Sequence, residues 1–264
     1  MNSNVLGFRA ELYKYRKQNT YAITVGLFIT PFFYALASVF NTNPFAQNNQ
    51  SLCYWLGNVT LLNSMMYASP IICAYISCQN LANEIENQYL CLIVQRFGDR
   101  IKVYKNKVIS NIIVLTQIYV LFIIGCTIIY FAAYNLGAGD ITGTIWGQGY
   151  NIEGVVMLME FYVFYCLLIP LIINGLSTII MGNSKIIILF IIIIFMTRMF
   201  PGNGFTNHIM PWNILKQMSI IDTTSGGNDL RMSVLSLANV IVISGCLGSI
   251  FYCLGKKSIK KINL

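Results

Sequence analysis

Residues 84–107 read EIENQYLCLIVQRFGDRIKVYKNK and contain two Glu, one Asp, two Arg and three Lys. The chain is uncharged on both sides of this stretch, from residue 18 to 83 and from residue 108 to 139. A charge placed in the hydrocarbon of a bilayer costs several kcal/mol. We therefore expect residues 77–107 to be an aqueous connection between two membrane-crossing segments.

The composition also indicates a membrane protein. Hydrophobic residues make up 56% of the chain and charged residues only 10%, whereas soluble domains carry about 25% charged residues. A helical span needs about 20 apolar residues, and six stretches are candidates: Tyr21–Phe40, Leu52–Ile76, Val108–Phe131, Val155–Met181, Ile186–Phe200 and Ser233–Leu254. The sequence thus predicts an all-α membrane protein that forms one domain, residues 1–264, with six transmembrane helices.

The basic residues predict the orientation. With the N-terminus inside, fourteen of the 17 Lys and Arg residues fall in cytoplasmic segments, as the positive-inside rule requires. We therefore expect a multi-pass protein of the cell membrane with both termini in the cytoplasm. The net charge of +8 is thus explained by basic residues in the cytoplasmic segments, and we expect no nucleic acid as a partner.

Two segments outside the spans have recognisable patterns. In residues 1–20, Val5, Phe8, Leu12 and Tyr15 share one helical face, and charged residues, Glu11 among them, lie largely on the others. This pattern predicts an amphipathic helix at the membrane interface; a solvated basic tail is the alternative. Residues 201–232 begin with Pro-Gly-Asn-Gly and hold an apolar segment with polar residues in it. We expect an external interfacial or re-entrant segment there, between spans five and six.

Polar residues inside the spans are candidates for a translocation path. They are Thr60, Asn63 and Tyr67 in span two, Gln117 in span three, and Glu160 and Asn174 in span four. The spacings of three and four place Thr60, Asn63 and Tyr67 on one helical face. Glu160 stands out because an isolated carboxylate within a membrane marks a functional position by default. Hydrogen bonding between helices is the alternative role for such residues.

Catalytic and metal-binding patterns are missing. The only Gly-Lys pair, Gly255-Lys256, lacks the other residues of a nucleotide-binding Walker A motif, and the single histidine excludes a site with several histidines. The eight cysteines form no C-x-x-C pair and are interpreted as packing residues. We expect no catalytic, cofactor or metal site, so any energy for uphill transport would come from an ion gradient or from another subunit. Another subunit is the expected source, because the middle of the spans is nearly free of the charged relay residues that an ion-coupled carrier would hold there.

The charged stretch carries a spaced pattern: Glu84, Glu86 and Asn87, then a leucine-rich turn at Leu90, then Arg100 and Lys107. In this pattern, and in its six expected spans, the chain resembles the ABC-2 family of transporter permeases. The family's usual Gly-Thr after the asparagine is Gln88-Tyr89 here. The resemblance implies a cytoplasmic coupling helix between spans two and three, in which the ATPase contacts are Glu84, Glu86, Asn87, Leu90, Arg96, Arg100 and Lys107.

The resemblance also implies partners. Such permeases pair with a second permease, identical or paralogous, in a bilayer of membrane lipids, and with two ATPase subunits that hold ATP and Mg. Composition and size resemble the subfamily that exports antimicrobial peptides such as lantibiotics and bacitracin, so the expected cargo is an antimicrobial or amphipathic peptide. The alternatives are export of a lipid, a polysaccharide or a drug, and, from other classes, a membrane enzyme that modifies lipid or an assembly or sensor subunit.

Overall fold

The computed structural model describes residues 11–17, 20–42, 49–97, 99–147, 151–180, 182–199 and 230–261, without the side chains of 96–97, 194–199 and 230–233. These residues form nine helices: α1 (residues 11–17), α2 (Thr20–Val39), α3 (Leu52–Met65), α4 (Ala68–Glu86), α5 (Tyr89–Phe97), α6 (Arg100–Asn135), α7 (Asn151–Ile180), α8 (Asn183–Met199) and α9 (Leu230–Lys261). An isolated bridge between Gln50 and Ile141 is the only β-pairing in this part of the chain. The all-α fold is confirmed for these residues.

Four helices, α2, α6, α7 and the Val234–Lys261 part of α9, are long and apolar enough to cross a membrane. The pair α3 and α4 adds a fifth crossing if the two helices count as one bent span. The apolar part of α8, Asn183–Ile193, is shorter. The structure therefore has four to five such helices among the described residues, and the sixth span stays a prediction.

The segment predicted as span two is divided by a sharp bend. The axes of α3 and α4 differ by 69°, and between the helices Tyr67 has a left-handed φ of 60°. Pro70 explains the break, because its ring would clash with the carbonyl of Met66 in a continuous helix. In the first turn of α4 that proline is tolerated, since the N–H groups there have no helical partner. The prediction that Tyr67 continues the helical face of Thr60 and Asn63 is therefore wrong.

The long helix α6 begins at the charged stretch. The side chain of Asp99 accepts a hydrogen bond of 2.9 Å from the Ile101 N–H and caps the helix, as Asp commonly does. The 36 residues of α6 extend over about 54 Å at 1.5 Å per residue, which is longer than the hydrocarbon thickness of about 30 Å. Its charged first two turns can therefore lie outside the apolar layer.

Glycines allow α7 to approach its neighbours closely. A Cβ on Gly154 would lie 2.3 Å from the carbonyl oxygen of Cys53 in α3, and one on Gly175 would lie 2.6 Å from that of Phe251 in α9. Among the small residues of α9, Gly248 packs against α7 and Ser244 is buried, whereas Gly245 and Ser249 are exposed.

The buried apolar residues form two cores. The main core joins α2, α3, α4, α6 and α7. A smaller core lies at the α5 end of the bundle and is built from Leu81, Leu90, Val103, Tyr104, Val108 and Ile259. Because this second core includes residues of α4, α5, α6 and α9, it fixes the short helix α5 to the ends of three long helices.

Two predicted features lie outside the described residues, wholly or in part. The external or re-entrant segment, predicted over residues 201–232, falls mainly on residues 201–229, and the start of the amphipathic helix falls on residues 1–10.

Candidate functional site

Six helices, α1, α4, α5, α6, α8 and α9, meet at one end of the bundle, which we call the basic end. Lys14 of α1 pairs with Glu84 of α4, and the Glu86 carboxylate accepts a 2.9 Å hydrogen bond from the backbone N–H of Asn183 at the start of α8. Nη1 of Arg100, at the start of α6, donates to the backbone carbonyl of Lys260 near the end of α9 at 3.2 Å. The elements that meet here carry most of the basic residues: Lys14, Arg16, Lys17, Arg100, Lys102, Lys105, Lys107, Lys185, Lys256, Lys257, Lys260 and Lys261.

A buried ion cluster, Glu11, Lys14, Glu84 and Lys107, lies at the basic end. The Lys107 side chain is fully buried, and its Nζ lies 2.8 Å from Oε1 of Glu11 and 2.5 Å from Oε2 of Glu84. Nζ also donates to Oδ1 of Asn80 at 3.3 Å. Two carboxylates and two ammonium groups leave the cluster without net charge.

This cluster corrects the expectation that every charge in residues 84–107 lies in water. Glu84 and Lys107 stand at the two ends of the stretch, and both are buried. Burial of a charge is tolerable only when an opposite charge and further hydrogen bonds replace water. Here Glu84 and Lys107 pair with each other, and Glu11 and Lys14 of α1 add a second opposite charge to each, so α1 completes the cluster.

Helix α1 therefore packs against the protein. Tyr15 is buried one turn after Glu11, and Leu12 packs against the main core. Burial, reinforced by the nearby Glu11 carboxylate, raises the pKa of the Tyr15 phenol well above its ordinary value, so the phenol is neutral at physiological pH. The sequence had placed Glu11 on the polar side of α1, whereas the structure turns it inward.

The turn between α4 and α5 is exposed, and we call Glu86, Asn87, Gln88, Tyr89 and Leu92 the coupling corner. Tyr89 is 59% and Leu92 57% exposed, whereas Leu90 between them is fully buried in the second core. Gln88 has a φ of 59°, in the left-handed region that favours glycine. It stands at the position where the pattern of the resembled family has glycine.

The seven residues predicted to contact an ATPase differ in their exposure. Glu84, Leu90 and Lys107 are buried, so their side chains cannot touch a partner in this conformation. Glu86 and Asn87 are exposed at the coupling corner. Arg100 contacts the end of α9, and the side chain of Arg96 lies outside the described residues.

Two of the candidate path residues of span two form hydrogen bonds within α3 or to the neighbouring helix α2. Thr60 donates from Oγ1 to the Leu56 carbonyl at 2.6 Å within α3. Asn63 is buried, and its Nδ2 donates to the Leu27 carbonyl of α2 at 2.9 Å. Tyr67 is half-buried at the bend. These contacts belong to helix structure and helix pairing.

The remaining candidate path residues lie on α6 and α7 and have separate partners. Gln117 is exposed on α6 and accepts a 2.7 Å bond from the Tyr21 hydroxyl. Asn174 donates to the carbonyl of Pro170, one turn earlier in α7, at 2.7 Å. Glu160 is buried between α7 and α9, where Oε1 accepts a 2.8 Å bond from Ser236 while Oε2 has no hydrogen-bond partner among the described residues. The predicted residues therefore do not share one polar site.

Two irregular helix segments meet beside a small cavity. The bend after α3 lies opposite a π-helical segment of α7, Tyr162–Leu168, and the hydroxyls of Ser64 and Tyr165 contact each other across the two helices. The cavity has a volume of about 30 Å³, and its lining includes Thr60, Ser69, Cys73, Tyr119, Tyr165 and Cys166. Such a volume holds about one or two water molecules and is far too small for a peptide.

Sequence analysis missed the two members of the ion cluster on α1. Glu11 and Lys14 are three residues apart and so share a helical face. Glu84 and Lys107 border the two uncharged stretches, where a charge needs a partner. These two signals together could have suggested the pairing, but the choice of partners depends on the docking of α1.

No three His, Cys, Asp or Glu side chains form a group suited to a metal ion within the described ranges. Comparison of the chain with protein-family models, with curated proteins and with solved structures yields no match.

Proposed function

We propose that this chain is the membrane-embedded permease subunit of an ATP-driven exporter of the ABC-2 type. In this proposal six spans cross the cell membrane, both termini lie in the cytoplasm, and the basic end faces the ATPase subunits. The observation that supports it most directly is the coupling corner, an exposed turn with a short helix that is attached through a core of its own to the ends of α4, α6 and α9.

The coupling corner has the surface chemistry of a docking site. Tyr89 and Leu92 offer exposed apolar area, and Glu86 adds an acidic group beside them. Exposed aromatic and aliphatic anchors within a polar surround are typical of protein interfaces. An ATPase that binds here would contact Glu86, Asn87, Tyr89 and Leu92.

The buried residues of the pattern would act as positioning residues. Leu90 holds α5 on the second core, while Glu84 and Lys107 join the end of α4 to α6 and, through Glu11 and Lys14, to α1. A force applied at the coupling corner would therefore move the ends of these helices as one unit. In this way ATP-driven closure of the ATPase pair would reach the spans.

The proposed cargo rests on the sequence prediction alone, and the small cavity bears only on where the path lies. A peptide does not fit into about 30 Å³, so we propose that the path forms between this chain and a second permease. The cargo in this proposal is an antimicrobial or amphipathic peptide.

The docking role is tested with two matched variants. The proposal predicts a reading frame for a Walker-type ATPase beside the gene. The chain is co-expressed with that ATPase, and co-purification and ATP hydrolysis are measured in phosphatidylglycerol-containing vesicles. Leu92→Glu should reduce both at least about tenfold, since a buried interfacial charge without a partner costs several kcal/mol. Leu136→Glu adds the same charge at a residue that is 69% exposed at the opposite end of α6, and it should leave both unchanged.

Both variants should keep the melting temperature of the wild type, because the replaced side chains are exposed. Equal ATPase binding by the Leu92 and Leu136 variants would refute docking at the coupling corner. The absence of an ATPase reading frame beside the gene would count against the whole assignment.

Orientation is tested with single introduced cysteines after Cys53, Cys91, Cys246 and Cys253, which are not buried, have been replaced by serine. A membrane-impermeant maleimide should label a Leu136→Cys variant in intact cells. It should label a Leu92→Cys variant only after the membrane is opened. The reverse pattern would refute the proposed topology.

A further inference from the structure

The last three turns of α9 form a groove with an apolar part and a basic part. The groove is open to the outside and has a volume of about 460 Å³; the described residues that line it all lie on α9 and are Ile250, Cys253, Leu254, Lys256, Lys257 and Lys260. The positions 250, 253, 254, 257 and 260 follow the spacing of one helical face. Ile250 is 53% and Leu254 43% exposed, so this face is not covered by the described part of the chain.

The lysines of the groove carry unbalanced charge. Lys256, Lys257 and Lys260 are exposed, and no ion pair joins them to an acidic side chain within the described residues. Residues four apart on a helix lie about 5–6 Å from each other, so Lys256 and Lys260 repel. An anion between these ammonium groups would remove the repulsion.

The apolar part of the groove indicates which anion fits. From Lys257 back to Ile250 the helix rises about 10 Å at 1.5 Å per residue. The polar layer on each side of the hydrocarbon is about 5–8 Å thick. A molecule that places an anionic group at the lysines can therefore place an apolar chain at Ile250 and Leu254.

We propose that the groove is a binding site for an anionic phospholipid. The headgroup phosphate binds Lys256, Lys257 and Lys260, and an acyl chain lies along Ile250, Cys253 and Leu254. A soluble anion would use only the basic part of the groove, and an uncharged lipid only the apolar part. The charge and the distances on this face match a lipid that has both an anionic headgroup and an acyl chain.

The site also has a structural connection to the basic end. Arg100 donates a hydrogen bond to the backbone carbonyl of Lys260, so lipid bound at this turn would hold the end of α9 against the start of α6. This inference does not depend on the proposed exporter function, because it requires only that α9 lies in a bilayer.

The test uses the full-length protein, purified in detergent and depleted of lipid. Phosphatidylglycerol or phosphatidylcholine is added, and bound lipid is counted by native mass spectrometry. The variant Lys256→Gln/Lys257→Gln/Lys260→Gln removes three charges from the groove. Its matched control is Lys102→Gln/Lys105→Gln/Lys185→Gln, which removes three exposed charges from other elements of the basic end.

Wild-type protein and the control should retain phosphatidylglycerol in preference to phosphatidylcholine. The groove variant should bind phosphatidylglycerol at least tenfold more weakly, since each lysine near an anionic lipid surface contributes roughly a fivefold gain in affinity. Leu254→Trp should also weaken binding by filling the apolar part, while leaving the lysines in place.

Three outcomes would overturn the proposal. Equal loss of phosphatidylglycerol binding in the groove variant and in the control would show that net charge attracts the lipid without a specific site. Equal retention of the two lipids by the wild type would show that the lysines select nothing. Binding of free inorganic phosphate as tight as that of phosphatidylglycerol would show that the apolar part has no role. Unchanged melting temperatures of both triple variants verify folding.

Discussion

Lys107 offers the sharpest test of the buried ion cluster. The variant Lys107→Met keeps a side chain of similar length and removes the charge. It leaves the buried carboxylates of Glu11 and Glu84 with only Lys14, whose side chain is 30% exposed. Removing one partner of a buried ion pair costs about 3–5 kcal/mol, because the other charge stays buried without compensation. We expect a loss of that size in the free energy of unfolding.

A change of 3–5 kcal/mol is large enough for thermal unfolding in detergent. At roughly 2–4 °C per kcal/mol for a chain of this size class, the melting temperature should fall by roughly 6–20 °C. The matched control is Lys102→Met, because Lys102 is exposed on the same helix. An exposed lysine contributes about 0–1 kcal/mol, so the control should fall by a few degrees at most.

A neutral version of the cluster separates charge from packing. The triple variant Glu11→Gln/Glu84→Gln/Lys107→Met has no buried charge without a partner, and a neutral replacement of buried ion pairs is often as stable as the original. We expect it to regain most of the stability that Lys107→Met loses. Equal melting temperatures for Lys107→Met and Lys102→Met would refute the reasoning, since they would show that water reaches Lys107.

Three other predictions concern single residues and use the same unfolding measurement. Gln88→Gly should raise the free energy of unfolding by up to about 1 kcal/mol, because glycine adopts the left-handed backbone there without strain. Its control, Gln95→Gly within α5, should lower the free energy of unfolding by about 1 kcal/mol. A lower free energy of unfolding for both variants would contradict the backbone argument. Gly154→Ala should lower the free energy of unfolding by about 1–3 kcal/mol, because the added Cβ overpacks against α3. Its control, Gly245→Ala, should leave the free energy of unfolding unchanged, since nothing lies within 4 Å of the added Cβ. Equal effects of the two substitutions would disprove the close approach of α7 to α3. Glu160→Gln should keep the hydrogen bond to Ser236 without burying a charge, so its free energy of unfolding should equal or exceed that of the wild type. A decrease of several kcal/mol would show that the carboxylate has a cationic partner.

Sequence reasoning succeeded where hydrophobicity alone decides the structure. A chain with so little charge and such long apolar stretches can satisfy its backbone hydrogen bonds in a bilayer only within helices or a closed barrel. The charged stretch at residues 84–107 marked the turn that contains α5, because charges exclude that segment from hydrocarbon. Helix type and approximate position could be obtained in this way without knowledge of any tertiary contact.

Sequence reasoning was less accurate where a residue's role depends on its neighbours. Glu84 and Glu86 are two residues apart in one motif, yet the first is buried in the ion cluster and the second is exposed at the coupling corner. Leu90 and Leu92 differ in the same way. Helical periodicity shows that the two residues of each pair lie on different faces. Which of the two faces is buried depends on where α1, α6 and α9 pack.

The sequence by itself determined that this chain is helical, that most of it is too apolar for water, and where its charges interrupt the apolar segments. These properties follow from local composition, since the transfer energy of a segment depends on its own residues. Only the tertiary structure decided that Lys107 is buried, that α1 supplies its partners, and that span two bends before Pro70. Those features depend on contacts between residues up to 96 positions apart, and no local pattern records which distant group fills the space beside a charge.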